Sequence, residues 1–355
     1  MQSKWFTTGR RPTVQILIQM SLLLMFSLCA VLYYSVVTCW HKRKLSVNFE
    51  PLSASEIALV KSKTGIYTEA TKMGEFKNVI LLTAGNFGYL DMYRNWACHA
   101  QRLGLKWLLV ASDRQMYSLI GPDQAILSQN AATATSQAEN FRAAGFNLIT
   151  CSKLQDVLRV SISAKVDVVF SDCDNVFRSD PFALGASLGG AIRSSLYEYL
   201  YQHNEKQSTW MIEPFEGNTG FYYISACQKR AGFQNLYFRA VQSCQERPDI
   251  DDQTNFWKAF REMRSGTAHS LWRTRGKAFG HYGSPFKSAT FCADTKISDT
   301  DTLSYCSLNA SQHPVGLHDE LSALVTYHAN YRVGHDSKRE RLKQLGLWID
   351  KPCPF

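Results

Sequence analysis

The longest apolar stretch of the chain covers positions 14–40, 27 residues without a charged side chain that include "ILIQMSLLLMFSLCAVLYYSVVTCW". As a helix it would reach about 40 Å, more than the roughly 30 Å hydrocarbon core of a bilayer. A secretory signal core spans only about 7–15 residues and ends at a small-residue cleavage site, which is not evident here. The pattern predicts a single transmembrane anchor at 14–40, a tail at 1–13 and a polar stem at 41–76. Ser53-Ala54-Ser55-Glu56 forms a possible capping box, either within that stem or opening the first helix of the following domain.

From 77 onward the pattern becomes that of a folded domain, read as 77–355. "NVILLTAGN" holds a short apolar run at 79–83, a buried strand. Leu90, Tyr93, Ala97 and Ala100 follow at helical spacing, and Gly104 is a natural helix stop. "KWLLVAS" then reads as a second strand, ending at Asp113. A strand–helix–strand unit implies a parallel sheet. An Ala/Thr/Ser-rich loop occupies 128–138, and "KLQDVLRVSIS" is a helix feeding a strand at 166–171. Later, "GFYYIS" is a further strand and "SKRERLKQLG" an exposed basic helix. The expected class is α/β, with a mostly parallel central sheet and flanking helices, Rossmann-like in its first half.

The net charge of +9 suggests nucleic acid until it is located. Lys4, Arg10, Arg11, Lys42, Arg43 and Lys44 bracket the apolar segment. Without them 33 basic residues face 30 acidic ones, an excess of +3. No nucleic-acid partner is expected, because the remaining basic run lacks interleaved aromatics. Three basic residues on each side of the anchor leave its orientation open by charge counting. Two features favour a lumenal domain: Asn309-Ala310-Ser311 is an N-glycosylation triplet, and the eight cysteines beyond the anchor suit disulfides of the secretory pathway.

Chemistry concentrates in "KVDVVFSDCDNVF", where the apolar strand stops at Asp172-Cys173-Asp174. Acids there can simply cap a turn. In open α/β sheets, however, ligands bind beyond the carboxyl ends of strands, and two carboxylates there can hold a hard divalent cation. Cys173 is expected to pack inward and stay inert.

The ordered set "NVILLTAGNFGYLDMYRNW", "SKLQDVL", "DVVFSDCDNVFRSDP", "GNTGFYYI", "DDQTNFW" and "HANYRVGHDSK" resembles nucleotide-sugar glycosyltransferases of the GT-A fold. It is most similar to glycosyltransferase family 77, which includes plant cell-wall xylosyl- and arabinosyltransferases. The resemblance implies that Asp172, Asp174 and His328 bind Mn²⁺ (or Mg²⁺), which grips the donor diphosphate. It implies donor contacts at Thr83, Asn86, Lys153, Asn218, Gly220, Gly334 and Lys338, although Lys153 also reads as a solvated helix start. The loop Asp251-Asp252-Gln253 would touch the transferred sugar, with Asp252 favoured as the acting carboxylate.

The expected activity is metal-dependent transfer of a sugar from a nucleotide-diphosphate donor, a UDP-sugar by family resemblance, to a glycan or glycoprotein acceptor with retention of configuration. The expected place is the Golgi membrane, in a type II orientation. Two rivals remain. A haloacid-dehalogenase-like phosphatase shares a strand followed by Asp-x-Asp but carries its nucleophile on the first strand. A catalytically silent lumenal binding or scaffold protein would keep the fold without turnover.

Overall fold

The computed structural model describes residues 50–65, 76, 78–140, 143–183, 185–203, 217–225, 231–263, 292–296, 302–316, 324–330, 332–351 and 353. The apolar segment 14–40 lies outside them. Strands β1 (Val79–Gly85), β2 (Leu108–Ala111), β3 (Ala125–Leu127) and β4 (Asp167–Ser171) pair in parallel in the order β3-β2-β1-β4. Helices α1 (Ala54–Lys63), α2 (Leu90–Arg102), α3 (Arg114–Ile120) and α4 (Ala144–Ala164) accompany them. Successive strand residues face opposite sides, so each strand feeds two cores. Ile80, Leu82, Val168 and Phe170 join Val60, Leu154 and Leu158 on one side. Val79, Leu81 and Val169 meet Met92, Trp96 and Ala97 on the other.

The parallel order ends at β4. Short strand β5 (Asn175–Phe177) leaves the sheet, and the chain passes through α5 (Ser187–Ser194) to β6 (Tyr199–His203) and β7 (Gly217–Ile224). β7 lies antiparallel to both β4 and β6. β8 (Cys292–Lys296) and β9 (Thr302–Ser307) complete the eight-stranded sheet, β9 running parallel to β6. β10 (Thr326–His328) pairs antiparallel with β5, so that His328 stands opposite Asn175. Helix α6 (Ala231–Glu246), helical residues 252–263 (α7) and α8 (His335–Gln344) pack around this half. The architecture is mixed α/β, with the expected parallel strands as its first half.

Two local expectations change. The 53–56 capping box opens α1, with Ser53 and Glu56 exchanging their bonds. Val60 anchors that helix in the core, so it is the first helix of the domain. The basic helix α8 is not merely a solvated face. Leu342 is fully buried, Arg341 donates to Tyr327 Oη at 3.1 Å, and Lys338 turns inward. Disulfides Cys98–Cys353 and Cys151–Cys244 tie the C-terminus to α2 and α4 to α6.

The 128–138 loop is fastened by a buried acid. Asp156 on α4 accepts from Ser128 Oγ at 2.5 Å and Gln129 N at 3.2 Å. Burial pushes its carboxyl up to about 6, with those hydrogen bonds opposing. The native state therefore keeps this proton over roughly pH 4–6 while the unfolded chain releases it, and stability falls as pH rises through that window. Asp156→Asn cannot ionise and escapes the loss. In urea unfolding, its stability relative to wild type should climb by up to about 3 kcal/mol between pH 4 and pH 7. A difference independent of pH would refute this.

Candidate active site

Asp172 and Asp174 sit where β4 ends. Asp172, Cys173 and Asp174 form a turn closed by Asn175 N donating to Asp172 O at 3.0 Å, which presents both acids to one side and Cys173 to the other. Asp172 N donates to Gly220 O at 2.7 Å, and Ala329 N donates to Asp174 O at 2.9 Å. The acidic turn is thus held between β7 and the end of β10. Cys173 points inward, its Sγ 3.1 Å from Ala84 O and 3.4 Å from Thr83 Oγ1. Burial pushes its thiol up to about 12, which keeps it neutral and unreactive.

The β5–β10 pairing brings His328 to the acids. One ligand atom from each of Asp172, Asp174 and His328 lies within 4.8 Å of the others. His328 Nε2 is 3.2 Å from Asp174 Oδ1. Two carboxylates and an imidazole suit Mn²⁺ or a similar borderline-hard cation. A Cβ at Gly220 would overlap His328 Cε1 and Asp172 Oδ2, so only glycine lets these two side chains come together here. The donor set therefore fits a divalent ion in its chemistry.

Two lysines enter the cluster. Lys153, on α4, is buried rather than solvated, and its Nζ lies 3.1 Å from Asp172 Oδ1 and 2.9 Å from Asp252 Oδ2. Burial opposes its charge, but the two carboxylates hold its pKa above the usual lysine range. Lys338 Nζ lies 2.7 Å from Asp174 Oδ2 and is held up in the same way, chiefly by Asp174 against burial. Burial would raise the Asp174 carboxyl, yet Lys338 above all holds it well below the ordinary range. Asp172 moves upward, driven by burial, with Lys153 opposing and the Asp174 charge adding.

The 251–253 loop divides its roles. Asp251 is a helix cap, accepting from Thr254 N at 2.8 Å and Thr254 Oγ1 at 3.2 Å. Asp252 faces Lys153 and, through it, Asp172. Gln253 Oε1 accepts from Asn218 Nδ2 at 3.1 Å and Thr219 N at 3.4 Å. Asn218 Oδ1 in turn accepts from Gly220 N at 2.6 Å. Thr83 is fully buried beneath Cys173. Asn86 Nδ2 donates to Thr135 O and Gln137 O, tying the end of β1 to the following loop. Gly334, at φ +85°, starts the helix that carries Lys338, in a conformation that favours glycine.

The structure thus brings together Asp172, Asp174, His328, Lys153, Lys338, Asp252 and Gly220, with Asn218 and Gln253 adjoining. It turns Asp251 to a capping role and leaves Thr83 under the floor. Sequence reading missed Gln202, whose Oε1 lies 2.9 Å from His328 Nδ1. Its signal was a polar residue closing the aromatic run "YLYQ".

A family model described as nucleotide-diphospho-sugar transferase matches residues 105–342, which span the site from Lys153 to Lys338. Two curated proteins of Arabidopsis thaliana are similar. UDP-D-xylose:L-fucose alpha-1,3-D-xylosyltransferase 1 is 24% identical over 343 residues, covering 92% of this chain and 86% of its own length. A second UDP-D-xylose:L-fucose alpha-1,3-D-xylosyltransferase is 24% identical over 305 residues, covering 81% and 75%. Among solved structures, the glycosyltransferase GlyE of Streptococcus pneumoniae TIGR4 aligns at 11% identity with a TM-score of 0.38, over 77% of this chain and 60% of that one.

Lys153 is the shared counter-ion of Asp172 and Asp252, so its loss leaves two carboxylates uncompensated. Removing one partner of a buried ion pair costs about 3–5 kcal/mol. Lys153→Met should destabilise the chain by about that much in urea unfolding near neutral pH. A loss under about 1 kcal/mol would show that the two acids do not depend on it.

Proposed function

This chain belongs to the nucleotide-diphospho-sugar transferase family and is a glycosyltransferase, and we propose that it transfers a sugar from a UDP-sugar to a glycan or glycoprotein acceptor with a divalent cation. The observation that carries the proposal is the convergence of Asp172, Asp174 and His328 beside a glycine whose missing side chain lets them meet. Charge supports it as well. The acids Asp172, Asp174 and Asp252 outnumber the ammonium groups Lys153 and Lys338 by three to two. A buried cluster with one formal negative charge in excess favours a further cation.

When bound, a divalent ion offsets the negative charge that builds on a departing diphosphate. The chain's own residues do the rest. Asp172, Asp174 and His328 would hold the ion. Lys338, now paired with Asp174, would turn part of its charge toward phosphate oxygens. Asp252, fixed by Lys153, would face the sugar, and Gln253 would hold the Asn218–Gly220 start of β7 beside it. A xylosyl donor is the first to test, because the two plant relatives are named for UDP-D-xylose; arabinose and galactose donors belong in the same panel. Retention of configuration follows the family 77 resemblance. The haloacid-dehalogenase alternative loses support, since Asp172 follows the fourth strand rather than the first and the family match lies elsewhere.

The central test is calorimetric. With UDP titrated into the wild-type chain, Mn²⁺ should strengthen binding markedly over chelator. In Asp174→Ala most of that gain should vanish, since the ion depends on several anionic ligands. An equal gain in both proteins would show that Asp174 is not a ligand.

The proposed setting is the Golgi membrane, with 14–40 as a type II anchor, a stem from 41 that ends where α1 begins, and the catalytic part lumenal. The disulfides support an oxidising compartment. Asn309 supports exposure to glycosylation: its side chain takes bonds from Ser311 N and Ser311 Oγ in a local turn, and the residue is only half-buried. Removal of N-glycans should shift the mobility of the expressed chain, and Asn309→Gln should abolish the shift. Digestion of the catalytic part by protease in sealed microsomes would refute the lumenal placement.

A further inference from the structure

We infer that Gln202 is a positioning residue for the candidate metal group: it fixes which nitrogen of His328 faces Asp172 and Asp174. This inference rests on reading that group as a cation site. Gln202 lies in β6, where the register with β7 shifts between Tyr201 and Gln202, and its side chain is fully buried. Its Nε2 lies 2.9 Å from His313 O and 3.0 Å from Pro314 O. Carbonyl oxygens only accept, so the amide nitrogen must occupy that side and the amide oxygen the other. The oxygen then meets His328 Nδ1 at 2.9 Å. An amide oxygen also only accepts, so Nδ1 carries the ring proton.

A neutral imidazole has one such proton, and Nε2 is left with its lone pair. Nε2 is the atom 3.2 Å from Asp174 Oδ1. The opposite tautomer would turn an N–H toward that carboxylate and remove the nitrogen as a ligand. Gln202 excludes it. The same short segment holds both partners: His328 N donates to Pro314 O, and Gly316 N donates to His328 O. Ligand histidines commonly owe their tautomer to such a neighbour, whose loss weakens metal binding about 10–100-fold. Here the neighbour is an amide, whose own orientation is set by two backbone carbonyls.

The test uses the full-length chain with ¹⁵N-labelled histidine. Nitrogen–proton correlation spectra identify the His328 signal by its absence in His328→Gln. The neutral wild-type ring should carry its proton on Nδ1; a proton on Nε2 overturns the inference. Gln202→Met keeps the volume and removes both hydrogen-bonding functions. With UDP as the probe, its Mn²⁺-dependent gain in affinity should fall about 10–100-fold. UDP affinity in chelator should stay within about threefold of wild type, and His328 should populate both tautomers. A folded variant with an undiminished Mn²⁺ gain and an unchanged tautomer overturns the inference. If the variant does not fold, the wild-type tautomer decides by itself. Loss of any Mn²⁺ gain in the wild type would instead remove the cation reading, and the tautomer would still judge Gln202.

Discussion

Buried charge at the carboxyl end of β4 is the constraint around which this site is arranged. Asp174, Asp252, Lys153 and His328 all lie at 6% side-chain exposure or less. Charges so placed are costly unless each finds a partner. Lys153 from α4, Lys338 from α8 and His328 from β10 are directed at the same acidic turn, and Asp252 from α7 meets it through Lys153. Any one of these elements displaced would leave a neighbour's charge uncompensated. The site and the packing of the second half of the chain are therefore one problem.

Topology makes that convergence possible. Four parallel strands place the end of β4 beside the end of β1. The antiparallel return of β7 then carries Gly220 against Asp172, close enough that only a residue without a side chain fits. The detached β5–β10 pair sets His328 opposite Asn175, one residue beyond the acidic turn. The switch from parallel to antiparallel pairing occurs at β4, where the acids are. This agrees with the general placement of ligands at the carboxyl ends of strands in open α/β sheets.

The polar groups under the site are organised to remove freedom rather than to react. Cys173 packs against Ala84 and Thr83 and stays neutral. Asp251 caps its helix, and Asn218 and Gln253 hold each other across the β7 turn. Gln202 does the same for His328. Each removes a rotamer or tautomer that would misdirect a neighbour, which is how a small group of side chains keeps one geometry.

The sequence by itself determined the local elements and the candidate chemistry. Apolar runs marked β1, β2 and β4, helical spacing marked α2, and the end of an apolar run marked Asp172 and Asp174, because strand burial and side-chain period are written in adjacent residues. The ordered motifs pointed to His328, Lys338 and Asp252 before any contact was visible. Only the tertiary structure decided which of these meet. Lys153 read equally well as a solvated helix start, and its burial depends on Asp172 and Asp252, 19 and 99 positions away along the chain. Asp251 and Asp252 are adjacent and chemically alike; the start of α7 turns one to a cap and the other to the site. The α8 charge run looked uniformly solvated, yet packing on Tyr327 and Asp174 draws Arg341 and Lys338 inward. Gln202 was marked only as a polar residue closing an aromatic run; its role arises from carbonyls and an imidazole more than 100 residues downstream. Pairings of that kind are set by long-range closure of the fold, which one-dimensional spacing does not encode.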